Sequence, residues 1–174
     1  ALAGVLDTRS GLPTILDALE LPGGPELPLV VMTDSGSAAA LADAIGDDER
    51  RRERVRVRAG LTAEERAVVL GRATVAIAPL LADSFVTAAL EAMSLGTPLV
   101  HTDQPALRET IGDSGMLVAV DSIAHLPEAL AHALTRLVDD ADARRELGVV
   151  GQDRARAFTW RDAAEKTWQL HADL

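Results

Sequence analysis

Short apolar runs alternate along this chain with longer segments in which apolar residues return every three or four positions. The short runs read as strands: Ala1 to Leu6, Pro28 to Met32, Val55 to Arg58, Thr74 to Ala78, Leu99 with Val100, and Met116 to Val120. The longer segments read as helices: Leu12 to Leu19, Thr87 to Leu95, Ile123 to Val138, Ala141 to Ala157, and Trp160 to the end. Two more begin at hydroxyl caps, one at Ser35 or Ser37 and running to Ile45, the other at Thr62 and reaching Leu70.

The boundaries carry the expected chemistry. Ser10 and Pro13 open the first helix, and Pro22, Gly23 and Gly24 follow it. Glu64 and Glu65 fall in the first turn after Thr62, where the helix dipole favours negative charge. Gly96 and Pro98 stop the helix that starts at Thr87. Gly46 to Arg54 (GDDERRRER) reads as a charged surface connection.

Strands that are apolar at most positions need cover on both faces, and strands alternating with helices supply it. The pattern therefore predicts one α/β domain over residues 1–174, a doubly wound, Rossmann-like parallel sheet of about six strands with helices on both faces. With 48% hydrophobic residues the chain can fill such a core. In an open sheet of this kind ligands bind beyond the carboxyl ends of the strands, near the point where strand order reverses. Three turns end there: Leu6 to Gly11, Pro79 to Thr87, and His101 to Pro105. Each lies near a helix N-terminus, whose free N–H groups suit a phosphate.

Composition narrows the partners. A net charge of −10 argues against nucleic acid and against a general affinity for anionic membranes. The absence of cysteine rules out disulfides, a thiolate nucleophile and cysteine metal sites. Aromatic residues make up only 2% of the chain, which leaves few stacking platforms. No apolar run approaches the roughly 20 residues of a membrane span, so no transmembrane segment is expected. The N-terminus opens inside a strand and lacks the pattern of a signal peptide, so the expectation is one half of a longer protein, located in the cytoplasm. Peripheral membrane attachment through the other half stays open. A chain rich in alanine and arginine, with Lys166 as its one lysine, fits a GC-rich bacterial source.

The stretch Ala78 to Val100 (APLLADSFVTAALEAMSLGTPLV) narrows the chemistry further. It resembles the signature of family-4 retaining glycosyltransferases: a strand ended by proline, E-x7-E around a GFG turn, then LEAM and GTPVV. Gly60 to Arg66 (GLTAEER), with LGRATVAIAP, is similar to the family's G-x-x-x-x-E-L approach to that strand. Leu107 to Val118 resembles its lpE-vv-GdaGllv segment, and Arg154 to His171 its RArxFsW tail. Gly4 to Leu19 is similar to its opening GRldxxKG turn and first helix. The likeness is collinear over nearly the whole chain.

This resemblance implies the C-terminal, nucleotide-sugar-binding half of a GT-B enzyme. A C-terminal helix over 159–174 would then pack on a missing N-terminal acceptor domain or partner chain. It also implies a nucleotide-sugar donor as substrate, no cofactor and no bound metal. Residue by residue, Glu91 matches the second glutamate of E-x7-E, which receives the ribose hydroxyls; a carboxylate can accept both hydroxyls of a vicinal diol. Asp83 falls where the first glutamate stands, near the transferred sugar, one methylene shorter. GFG has become Ser84, Phe85 and Val86, followed by Thr87. Valine at 86 resists the close backbone approach that glycine allows.

In the first turn Gly4 and Gly11 match the two glycines. The arginine between them falls on Val5, and the lysine on Ser10. Those cations would neutralise the diphosphate, and Arg9 beside them is the candidate replacement. Glu109 matches the glutamate of lpE, with a structural role as its alternative. Arg58, at the carboxyl end of its strand, is a candidate contact to base or phosphate, the alternative being a solvated strand face shared with Arg56. His101 reads as a hydrogen-bonded strand-end histidine, since no second metal ligand has suitable spacing. His125 and His132 read as surface residues, and Trp160 with Trp168 as a packing face.

Two functions follow. The first is the donor domain of a retaining glycosyltransferase, active in a longer parent, with little or no transferase activity in this chain alone. The second is a non-catalytic glycosyltransferase-like domain serving as partner or scaffold, motivated by the losses at Val5, Ser10 and Val86. A doubly wound binding domain outside the glycosyltransferases is a third reading, opposed by the collinear motifs.

Overall fold

A computed structural model describes residues 1–6, 11–78 and 86–172 of the chain, with the side chains of 86 and 172 excepted. The strands are β1 (Leu2–Val5), β2 (Leu29–Thr33), β3 (Val55–Ala59), β4 (Val75–Ile77), β5 (Leu99–Thr102) and β6 (Met116–Val118). They form one parallel sheet in the order β3-β2-β1-β4-β5-β6. This is the doubly wound α/β arrangement the alternation predicts. Strand order reverses between β1 and β4, and the crevice for a ligand belongs there.

The helices are α1 (Leu12–Glu20), α2 (Ala38–Ile45), α3 (Glu49–Arg54), α4 (Ala63–Gly71), α5 (Val86–Ser94), α6 (Pro105–Ile111), α7 (Leu126–Asp139), α8 (Ala141–Ala155) and α9 (Trp160–Ala172). Alternation along the strands sends Leu2, Leu29, Val31, Val75, Ile77 and Val100 to one face, against α1 and α7. The other face sets Ala3 and Ala76 of the strands, Ala78 just past β4, and Met32 and Leu99 against Ala89, Ala92 and Met93 of α5. Small side chains on both surfaces let α5 lie close to the sheet. Outside it, α8 packs on α5 through Gly148 and Gly151.

Several local expectations change. The segment expected to be a bare charged connection contains α3. Asp48 caps it by accepting from the Arg51 N–H at 3.0 Å, Arg51 pairs with Glu20, and Arg54 donates to the carbonyls of Leu19 and Pro25. The arginines thus fasten α3 to the end of α1, a tertiary anchor that charge patterning does not show. Pro105 opens α6, which the periodicity had not separated from its turn, because a proline at the first position already has helical φ. The segment Ile123 to Val138 divides into a 3-10 turn (Ile123–His125) and α7.

Before α2, Ser37 occupies the N-cap position without a side-chain cap. The Asp34 carboxylate does the work there, accepting from the N–H groups of Gly36 and Ser37 at 2.8 and 3.0 Å. At α4 the expected capping box is present: Thr62 Oγ1 accepts from the Glu65 N–H at 3.2 Å, and the Glu65 carboxylate from the Thr62 N–H at 2.9 Å. The expected packing face of α9 is not packed on this chain, for Trp160 is 93% exposed and Trp168 76%. Among the described residues no helix is long and apolar enough to cross a membrane.

Candidate functional site

The helix α5 follows β4 across the switch point, so its first two turns face the carboxyl ends of β1 and β2. A cleft of 540 Å³ opens there. Val5 of β1 and Met32 and Thr33 of β2 line it, with Asp34 and Ser35 beyond β2, Gly60, Leu61 and Arg66 around the start of α4, and Thr87, Ala88 and Glu91 of α5. Glu91 and Val5, the last residue of β1, therefore share one crevice.

The Glu91 carboxylate meets the guanidinium of Arg66 side by side. Nη2 donates to Oε1 at 2.9 Å and Nε to Oε2 at 3.3 Å, while Nη1 reaches the Leu61 carbonyl at 3.4 Å. Both side chains remain about a third exposed, 33% for Arg66 and 32% for Glu91. The hydrogen-bonded carboxylate raises the pKa of Arg66 above its ordinary value. Also on the cleft lining, the Asp34 carboxyl is held below its usual range, first by the Ser37 hydroxyl at 2.7 Å and then by backbone N–H groups. Among the described residues the crevice thus carries two carboxylates and one guanidinium.

Of the residues picked out in the sequence, Thr87 and Glu91 line this cleft. Gly4 does not; it is buried inside β1, opposite Val31. Gly11 sits at the N-cap of α1 in a left-handed conformation, φ 95°, which glycine alone adopts without strain. Arg58 is exposed, donates to the Val57 carbonyl at 3.3 Å and is not among the residues that line this cleft. Glu109 is exposed on α6, and its main-chain carbonyl accepts from Arg154 at 2.7 Å. Val86 is the first residue of α5. Arg9, Ser10, Asp83, Ser84 and Phe85 lie outside the described residues.

Sequence reasoning missed Arg66 and Lys166. The signal for Arg66 was present, because the G-x-x-x-x-E-L pattern that GLTAEER resembles closes in leucine where this chain has arginine. Lys166 lines a second groove of 640 Å³ with Phe158 and Trp160, and that groove shares Thr87 and Glu91 with the cleft. Only the three-dimensional return of α9 toward α5 reveals it. Among the described residues no group of three histidines or carboxylates gathers to hold a metal.

His101 is 1% exposed and lies away from the cleft, with the ring close to Gly115. Its Nδ1 is 3.0 Å from the Thr102 carbonyl, so that nitrogen carries the proton, and Nε2 is buried with no hydrogen-bond partner among the described residues. Burial lowers its pKa, opposed more weakly by the Thr102 hydrogen bond and the Asp103 charge. Below the ordinary histidine value of about 6.5 the unfolded chain takes a proton that the folded one resists. Stability is therefore complete above that pH and falls as pH drops through it. Denaturation midpoints between pH 7.5 and about 5 check this: His101→Leu is expected to flatten the slope, and an unaltered slope would exclude His101 as its source.

A family model described as glycosyl transferases group 1 matches residues 4–140. The chain belongs to that family. Among its relatives are the MMP alpha-(1->4)-mannosyltransferase of Mycolicibacterium hassiacum, 38% identical over 65% of this chain and 28% of the relative. The alpha-maltose-1-phosphate synthase of Mycolicibacterium smegmatis is 32% identical over 86% of this chain and 38% of the relative. Sucrose-phosphate synthase from Thermosynechococcus elongatus superposes with a TM-score of 0.81 at 25% identity, over 99% of this chain and 45% of that one. The chain thus spans under half the length of these proteins. Its Rossmann-like sheet is that of a GT-B glycosyltransferase C-terminal domain.

Proposed function

We propose that this group 1 glycosyltransferase domain binds the nucleotide-sugar donor of a retaining, family-4-like enzyme, with Glu91 receiving the ribose diol. The observation that carries the reading is the position of Glu91 on α5, beside Val5 at the switch point and open to a cleft. The diphosphate would lie toward the N-terminus of α5, where unpaired N–H groups and the helix dipole favour negative charge. Arg9 would supply its counter-charge and Asp83 would stand near the sugar. No metal is required in this scheme.

The acceptor site would belong to a second, N-terminal domain. Trp160, Trp168 and Leu170, all largely exposed along α9, offer the apolar surface such a domain would cover. Transfer would then need both domains, and this chain alone would show little or none. One observation favours the non-catalytic reading: the carboxylate meant for the ribose is already engaged by Arg66.

Calorimetric titration with UDP, GDP and their sugars separates the two. On the donor reading a nucleoside diphosphate binds in the micromolar range. Glu91→Ala weakens it by about ten- to a hundredfold, the loss of a charge-assisted contact. Absent or millimolar binding of every nucleotide defeats the donor reading in favour of the partner or scaffold.

A further inference from the structure

We propose that Arg66 is a specificity-determining residue of the cleft, an internal competitor that a diol-bearing ligand must displace from Glu91. The inference rests on the donor reading, because it concerns what Glu91 does when a ribose arrives. Its starting point is the geometry of the pair. A guanidinium that meets a carboxylate through Nε and Nη2 uses the near lone pair of each oxygen. A vicinal diol recognises a carboxylate through the same two oxygens. Ligand and Arg66 therefore ask for one group.

Arg66 is placed for this by local structure rather than by chance rotamer. The capping box at Thr62 and Glu65 fixes the first turn of α4, and Arg66 follows directly, its N–H bonded to the Thr62 carbonyl at 3.0 Å. The third contact, from Nη1 to the Leu61 carbonyl, holds the guanidinium against the loop between β3 and α4. Leu61, Ala88, Thr87 and Gly60 surround it in the cleft. Glu64, two positions earlier on α4, adds a weaker charge attraction for the guanidinium and can hold it when it leaves Glu91, while Asp34 is already engaged by Ser37 and Gly36.

Partial exposure decides what kind of obstacle the pair is. With a third of each side chain open to water, the interaction is screened and weak. The pair lowers ligand affinity without closing the site. Removing the arginine frees the carboxylate for the diol at little cost to the fold, and a leucine there meets the apolar side of Leu61 and Ala88.

The test compares the wild-type chain with Arg66→Leu and Arg66→Gln by calorimetric titration. The probes are UDP, GDP and their 2′,3′-dideoxy forms, with thermal melting to show that each variant folds. Both variants are expected to bind the ribose nucleotides roughly three- to tenfold more tightly than wild type, which is the scale of a screened ion pair. The dideoxy forms, which offer no diol, should gain nothing. Equal or weaker binding of UDP and GDP by both variants overturns the proposal. The donor reading survives that outcome if Glu91→Ala still weakens binding as expected above. A gain that extends equally to the dideoxy forms also overturns it, since Arg66 would then be blocking space rather than competing for Glu91. Failure of every protein to bind any nucleotide overturns both readings together.

Discussion

Gly148→Ala is expected to destabilise the domain by about 2–3 kcal/mol, although alanine is the better helix former. Gly148 lies in α8 where it crosses the C-terminal end of α5. A Cβ built there comes within 2.5 Å of the Gly96 carbonyl oxygen. That oxygen cannot move aside cheaply. Gly96 closes α5 with φ 73°, its N–H bonded to the Met93 carbonyl at 2.9 Å, and the Thr97 N–H returns to Ala92 at 3.0 Å. The added methyl must therefore push α8 away from α5 and loosen Gly151 from Met93, one turn along. For a domain of this size the melting temperature should fall by roughly 5–10 °C. Gly71→Ala is the control. A Cβ at Gly71 meets nothing within 4 Å, and the residue sits in the last turn of α4, so that change should be neutral or mildly stabilising. Denaturant unfolding of both variants gives the comparison. Equal stabilities for Gly148→Ala and wild type would mean that the two helices are not in contact as described.

The same contact links stability to the site. Helix α5 carries Ala92 and Met93 into the core at one end and Thr87 and Glu91 into the cleft at the other. Whatever holds α8 against α5 also holds Glu91 beside Val5.

Periodicity alone made the fold legible, since the six apolar runs and their order follow from residue type. The same reasoning placed Thr87 and Glu91 on a helix entering the crevice, because a helix stopped by Gly96 and Pro98 has its start near Thr87. It failed where position depends on a contact between distant segments. The arginines of α3 read as solvent-facing charge until Arg51 and Arg54 are seen fastened to α1. Arg66 draws no reading from the sequence, because its partner stands 25 residues away on α5. Trp160 and Trp168 read as a packing face, and both are exposed on this chain. Helical spacing says that two side chains share a side, and is silent on which surface meets it.

Gly4 is a second case of one residue with two explanations, and substitution tells them apart. Resemblance assigns it to the donor turn, where a glycine admits a phosphate. The structure gives it a different constraint. Pairing between β1 and β4 runs through Leu2 with Val75 and Ala3 with Ala76, and beyond it a Cβ at Gly4 would lie 2.9 Å from the Ile77 carbonyl and 3.2 Å from Leu6 Cγ. The nearest obstacle is main chain of the neighbouring strand, at the point where strand order reverses. Gly4→Ala must therefore part β1 from β4, and we expect a loss of about 2 kcal/mol in the absence of any nucleotide. Because Val5 follows in the lining of the cleft, affinity for a nucleoside diphosphate should fall in the same variant. Thermal melting of the ligand-free chain is the deciding measurement. An unchanged melting temperature with weakened binding would return Gly4 to the donor turn, and a lowered one makes it the spacer that sets the width of the switch point.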